Sequence, residues 1–320
     1  MVRALLVVNP NATSTSPRVI DVIVRALSHE LDLEVTMTTH KGHAHSIGEY
    51  AVESEIPLVI TLGGDGVVNE VINGIMFANP KKAKPAIAPI PGGSGNVFVR
   101  ALGLPIDPVE ATGAVMECCR AQSFRAISLG LAVSERSNGE EFSRYFAANS
   151  GIGLDATIIA AMDKDRKKGA SASPLRYLGT TVREYLRRSN HNASITISRP
   201  GTTTVDHVYV ALVQNSSPWT FFGSWALDPN PAASFDTGLD VFIVRKLDPI
   251  STARAARRII SRSRRQTTRA RAFTSWHDQF GFSIQADPEV PIQIDGEALG
   301  SVSRVQFTHH PNALRVVASL

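Results

Sequence analysis

Short, wholly apolar runs alternate with amphipathic stretches over the first third of the chain. Ala4–Val8 is apolar throughout and stops at Asn9-Pro10, a turn signal. Pro17–Leu27 carries Val19, Ile20, Ile23, Val24 and Leu27 at helical spacing, with Ser16 placed to cap it and Pro17 at its first position. The alternation continues with a strand over Leu33–Met37, a helix over His45–Val52 and a strand over Leu58–Leu62 closed by Gly63-Gly64. A helix over Asp65–Phe77 and a strand over Ala86–Ile90 closed by Pro91-Gly92-Gly93 complete it. Strands apolar on both faces and separated by helices predict a parallel sheet covered on both sides.

From about Phe124 the pattern changes. Runs with strand character recur at Ala126–Val133, Tyr145–Ala148, Ala193–Ser198, Val208–Val213, Val241–Val244, Phe280–Gln285, Val290–Asp295 and Arg304–Phe307, separated by turn residues. They predict a mostly antiparallel second domain, a sandwich or open barrel. Helical patterns interrupt it at Pro174–Arg188 and Thr252–Arg269. The last apolar run, Leu314–Ala318, fits either domain. The expected division is an α/β domain over residues 1–122, with 308–320 as a candidate closing strand, and a β-rich domain over 123–307.

Composition narrows the classes. The 320 residues suffice for two domains at roughly 150 residues each. Charge is nearly balanced, 33 basic against 29 acidic residues, which argues against a protein that coats nucleic acid. The only cysteines, Cys118 and Cys119, are adjacent, which excludes a disulfide scaffold and a structural zinc site and leads us to expect a reducing, cytoplasmic setting. No apolar run approaches the roughly 18 residues of a membrane span, and the first one is too short for a secretory signal.

The strongest chemical signal is Gly63-Gly64-Asp65-Gly66-Val67-Val68-Asn69-Glu70, which leaves a strand and opens a helix. Glycines admit close backbone approach, and a helix start offers amides to phosphate. The loop lacks the Gly-Lys-Ser/Thr of a Walker A motif and the G-x-G-x-x-G spacing of a dinucleotide site. Asp65 beside a phosphate would repel it unless a cation or water intervenes. Pro91-Gly92-Gly93-Ser94-Gly95-Asn96 repeats the arrangement, and Asn9-Pro10-Asn11-Ala12-Thr13 ends the first strand. Loops at the carboxyl ends of parallel strands line one crevice.

These blocks, with Thr38 and Gly42-His43-Ala44, resemble the diacylglycerol kinase catalytic family, which includes bacterial lipid kinases and sphingosine kinases. Asn149–Ala156, Asn215, Pro229 with Ala232, Asp236–Val241 and Asp295-Gly296-Glu297 extend the resemblance over nearly the whole chain. The resemblance implies an ATP-dependent lipid kinase of the NAD kinase/diacylglycerol kinase-like fold, with a nucleotide-binding α/β domain and a lipid-binding β-sandwich. Diacylglycerol is the first expected substrate, and a sphingoid base or another lipid alcohol is the alternative. A non-catalytic nucleotide or lipid sensor is the rival of another class. ATP would lie between the domains on Asn9, Pro10, Asn11, Ala12, Thr13, Thr38, Gly64, Asp65, Gly66, Val67, Val68, Asn69, Glu70 and Ser94. Glu297 and Asp295 would be the catalytic pair, with Glu297 ahead as proton acceptor. Asp236, with the carbonyls of Ala233 and Gly238, would hold a structural Mg2+, and a second Mg2+ would arrive with ATP. Val67 and Val97 depart from the family, standing where a threonine and an aspartate are usual.

Arg254, Arg257, Arg258, Arg262, Arg264, Arg265, Arg269 and Arg271 crowd one stretch. With Ala255, Ile259 and Ile260 to one side, they read as a basic amphipathic helix for an anionic membrane surface. Nucleic acid is not expected, since no aromatic interleaving accompanies the charge. The expected setting is therefore cytoplasmic and peripheral to a membrane, and a homodimer is the other partner left open.

Overall fold

The structure, a computed structural model, describes residues 1–79, 83–159, 195–260 and 272–317. The chain divides into two compact units, Met1–Ile127 with Asn312–Leu320, and Ser128–Pro311.

The first unit is a parallel α/β layer. Its strands are β1 (Val2–Val8), β2 (Leu31–Met37), β3 (Leu58–Gly63) and β4 (Ala86–Pro91), in the order β2-β1-β3-β4. All pair in parallel. Ala4–Val8 of β1 and the whole of β3 and β4 are buried, as strands covered on both faces must be. The helices are α1 (Pro17–Ser28), α2 (His43–Glu53), α3 (Asp65–Phe77), α4 (Val97–Ala101) and α5 (Pro108–Arg120). Ser16 caps α1 by accepting from the Val19 amide, as its spacing predicts. Helices α2 and α3 pack backbone to backbone: a Cβ added at Gly74 would lie 2.0 Å from the His45 carbonyl oxygen. Helix α5 is absent from the sequence-based expectation. The final run does return to this unit, where Val316 pairs in parallel with Ile87 of β4.

The second unit is mostly antiparallel. It contains β5 (Phe124–Glu135), β6 (Glu141–Phe146), β7 (Asn149–Gly153), β8 (Ile195–Ser198), β9 (Val205–Val208), β10 (Val210–Gln214), the hairpin β11 (Thr220–Phe222) and β12 (Trp225–Leu227), β13 (Leu239–Val244), β14 (Phe273–Gln279), β15 (Gly281–Ile294) and β16 (Glu297–Val317). The main path runs β14-β13-β10-β7-β15-β16, with β8 on β15 and β6 on β5. Phe146, Ile152, Ile197, Val213, Val241, Trp276, Ile284 and Phe307 come from eight of these strands and meet in one core, so the sheet folds around its own apolar face. Two expected strand pairs are each one long strand: Phe280–Gln285 with Val290–Asp295 is β15, and Arg304–Phe307 with Leu314–Ala318 is β16, as far as Val317. In β15 the register shifts between Gln285 and Val290, so the strand bulges past Asp287-Pro288 rather than ending. The helix expected over Thr252–Arg269 is observed as Pro249–Ile260. The helical pattern at Pro174–Arg188, the arginines from Arg262 to Arg271 and Ala318 lie outside the described residues.

Candidate functional site

In the first unit the chain runs from β1 outward to β2 and then crosses back to β3. The carboxyl ends of β1 and β3 therefore flank the point where strand order reverses, where open α/β sheets take ligands. The predicted loops gather there. The Asn9 amide donates to the Leu62 carbonyl at 2.9 Å, the Gly92 amide to the Gly63 carbonyl at 2.7 Å and the Ser14 amide to the Gly92 carbonyl at 2.9 Å. The Thr38 amide donates to the Val8 carbonyl at 2.8 Å.

The glycines are required by this crowding. A Cβ at Gly93 would lie 2.6 Å from the Gly64 Cα, whereas one at Gly66 would meet nothing within 4 Å. Gly63-Gly64 and Gly92-Gly93 are thus closed against each other, and Gly66, in the first turn of α3, is open to solvent. That first turn carries amides without helical partners.

The side chains around these loops divide into fasteners and free groups. The Asp65 carboxylate accepts the Phe98 amide at 3.1 Å, which fastens the two glycine loops together and directs its charge toward α4. Glu70 accepts the Gly42 amide at 3.0 Å and so fixes the turn after β2. Asn9 accepts the Asn11 amide at 3.0 Å. Pro10, Asn11, Thr13 and Ser94 are exposed, and Ala12, Thr38 and Val67 are half-buried. Val68 and Asn69 are buried inside α3, where Asn69 accepts from the Asn73 amide group, so their side chains serve packing. Two fasteners are additions to the sequence-based set. Asn96, at φ 49°, brackets Gly93 with two hydrogen bonds of 3.0 and 2.7 Å. Thr15 donates to the carbonyls of Asn9 and Ala12.

In the second unit the turn between β15 and β16 carries Asp295-Gly296-Glu297. Asp295 is buried at φ 45°, and its carboxylate accepts the amides of Ala147, Ala148 and Asn149 at 2.9–3.0 Å. Three backbone donors hold it as a staple across the β6–β7 junction. Glu297 is half-buried and pairs with Arg144 of β6 at 3.0 Å. Beneath the turn, Gln293 donates to Asn149 and to Asp155, both at 3.1 Å, and accepts the Gly296 amide at 2.9 Å. Burial pushes the Asp155 carboxyl up to about 7, with the Gln293 bond opposing the rise. Arg144 and Gln293 carry no motif and were not singled out from sequence. Gln293 sits one strand alternation before Asp295.

Residues 3–130 match the diacylglycerol kinase catalytic domain family. That match covers 128 of the chain's 320 residues. Among curated relatives, a probable YegS-like lipid kinase of Chromohalobacter salexigens is 38% identical over 94 residues, 29% of either chain. A diacylglycerol kinase of Staphylococcus epidermidis is 34% identical over 117 residues, 36% of either chain. Sphingosine kinase 1 of Arabidopsis thaliana is 29% identical over 53% of this chain and 35% of its own. The chain thus spans about a third of the length of these curated relatives. In structure, a diacylglycerol kinase from Bacillus anthracis str. Sterne aligns over 99% of this chain and 96% of its own, with TM-score 0.69 and 21% identity. A yeast NADH kinase aligns over 100% and 84%, with TM-score 0.54 and 11% identity. These likenesses establish the fold, an N-terminal parallel α/β domain followed by a mostly antiparallel one.

Two expectations outside the loops have their own geometry. Asp236 is exposed in the turn before β13, where its amide donates to the Ser234 hydroxyl at 3.2 Å. Ala233 and Gly238 are buried beside it, and the Gly238 amide donates to Asp278. Among the described residues no three His, Cys, Asp or Glu side chains gather as a metal group, so Asp236 brings one carboxylate and backbone oxygens only. Arg258, expected on the basic face of an amphipathic helix, is instead buried at 8% exposed and acts electrostatically on Asp228. Ser251, Ala255 and Arg258 share one side of their helix, and that side is the packed one.

Proposed function

We propose that the chain is an ATP-dependent lipid kinase that phosphorylates a lipid hydroxyl, with diacylglycerol as the first candidate. The observation that carries this is the closed pair of glycine loops at the strand-order switch point, with the Gly66 turn of α3 left open beside it. The support for a phosphate there is that no Cβ intervenes at Gly66, that the first turn of α3 offers backbone amides, and that a cation bound with ATP would offset the Asp65 carboxylate. ATP supplies the transferred phosphoryl group, and Mg2+ bound with it would neutralise phosphate charge. Asp236 with the backbone oxygens of Ala233 and Gly238 is the proposed holder of a further Mg2+, through hard oxygen ligands.

Glu297 is the proposed proton acceptor. Its carboxylate takes the proton of the lipid hydroxyl as the new oxygen–phosphorus bond forms and the bond to the ADP leaving group breaks. Arg144 orients it, and Asp295 shapes the turn that presents it. The names of the relatives, diacylglycerol kinase and sphingosine kinase, support the substrate class of a lipid alcohol. The test is phosphate transfer from labelled ATP to diacylglycerol, sphingosine, ceramide and a polyprenol in mixed micelles. A labelled lipid product identifies the acceptor, and absence of transfer to all four, with ATP binding intact, would favour the nucleotide-sensor reading.

A further inference from the structure

The helix Pro249–Ile260 has two unlike faces. Inward, Ser251, Ala255 and Arg258 are buried, and Ile259 packs with Leu227, Leu247 and Phe273 around a small core. Outward, Ile250, Ala253, Arg254, Arg257 and Ile260 are exposed, at the spacing of one helical stripe. Ile250 is 65% exposed and Ile260 53%. The stripe holds no acid. Asp248, just before the helix, accepts the Ser251 amide at 3.0 Å and so caps it.

A second exposed apolar group adjoins this helix. The hairpin strand β12 packs on it, and the Asp228 amide donates to the Ile259 carbonyl at 2.8 Å. Trp225 of that strand is 68% exposed, whereas the other two tryptophans, Trp219 and Trp276, are 8% and 7% exposed. Exposed isoleucines on this helix and an open indole on the strand packed against it are unfavourable in water. They suit the boundary of a bilayer, where aliphatic groups reach the acyl region, indole prefers the headgroup level and arginine meets lipid phosphate.

We infer that the Trp225 hairpin and the Ile250–Ile260 stripe form a docking surface for an anionic lipid bilayer. The absence of acid on the stripe and the two arginines within it set the charge complementarity. This deepens the lipid-kinase reading by giving the enzyme a way onto its substrate's membrane, and it rests on that reading only for its purpose.

The test uses the whole chain with vesicles of phosphatidylglycerol and phosphatidylcholine in equal parts, without nucleotide. Binding should shift tryptophan emission to the blue, and lipids brominated along their chains should quench it, a signal that Trp225→Phe removes. Pure phosphatidylcholine should bind more weakly, and salt should weaken binding to the anionic vesicles. Arg254→Glu combined with Arg257→Glu should lower vesicle affinity by about 20-fold or more. Both side chains are exposed, so the unfolding midpoint should stay in place, and Ile250→Ser offers a second, uncharged probe that should weaken binding several-fold. Equal binding by the double variant would overturn the inference, as would vesicle binding that leaves tryptophan emission unmoved. No binding at low salt would overturn it too. Competition by an anionic polymer such as heparin, with no lipid quenching, would mark the surface as one for another polyanion. Failure to phosphorylate a soluble short-chain lipid would count against the kinase reading alone.

Discussion

Arg144 and Glu297, 153 residues apart in sequence, meet through a 3.0 Å contact between guanidinium and carboxylate, each side chain 18% exposed. The pair distinguishes two carboxylates that look equivalent in sequence. Asp295 is enclosed by three backbone amides, so its lone pairs are engaged. Glu297 instead meets the guanidinium of Arg144, a side-chain cation, at 3.0 Å.

The two carboxylates should therefore respond differently to neutralisation. Glu297→Gln should lower lipid phosphorylation at least about 100-fold with little change in unfolding midpoint. Asp295→Ala should lower stability by about 3 kcal/mol, through three amides left without their charged acceptor. Arg144→Ala should reduce kcat more than it raises lipid KM, and Arg144→Lys should restore part of the loss. Steady-state kinetics with thermal melts separates these outcomes. Loss of activity in Asp295→Ala without any loss of stability would reverse the two roles.

The open and closed glycines give a second contrast. Gly66→Ala places a methyl where the protein itself has nothing, so the fold should be unharmed, and helix propensity should favour it by up to about 1 kcal/mol. If phosphate occupies that space, ATP affinity should fall about tenfold or more by calorimetric titration. Gly93→Ala drives a methyl against the Gly64 backbone, so it should lower stability and nucleotide affinity together. Unchanged ATP affinity in Gly66→Ala would move the phosphates away from α3.

Much of the first unit was legible because its strands are buried on both sides, and short apolar runs between glycine turns have few other readings. Helix α5 was missed although Asp107 and Pro108 are regular start signals: its buried face of Ala111, Thr112, Val115 and Cys118 is too weakly apolar to register as a stripe. Strand β15 was divided because Asp287-Pro288 resembles a stop, and pairing on both sides of the bulge carries the strand through it. The glycine loops and the Asp-Gly-Glu turn were visible as local patterns. The Arg144 contact was not, since no local spacing encodes a partner that the fold brings from another strand. Likewise, nothing local distinguishes Arg258 from Arg257. The Asp228 partner that faces Arg258 arrives from the hairpin side of the helix.

Those neighbouring arginines should behave unlike each other. Arg258→Ala leaves Asp228, already pushed upward by burial, without a nearby cation that favours its charged form. It should cost about 2 kcal/mol or more in denaturant unfolding. Arg257→Ala, on the exposed stripe, should stay within about 0.5 kcal/mol. Equal costs would mean that both positions act through the helix itself rather than through burial.

Asp155 makes the pH dependence testable. It is fully enclosed, and burial raises its carboxyl from 3.8 to about 7. The folded state therefore favours the protonated form. At the acid end of the range both folded and unfolded chains carry the proton, and Asp155 imposes no penalty. As pH rises through the unfolded value the unfolded chain ionises first, so stability falls, and the fall levels off above about 7 where the folded group has also ionised. The shift corresponds to about 4 kcal/mol at its limit. Asp228 and Asp240 are raised by burial too, so part of the slope belongs to them. Asp155→Asn cannot ionise and retains an acceptor for the Gln293 amide group, so its stability should decline less between pH 5 and about 8 than that of the unaltered chain. Urea midpoints at several pH values for both proteins measure the difference. Parallel curves would place the Asp155 titration outside that range, and a steeper decline in Asp155→Asn would show that the ionised carboxylate supports the fold.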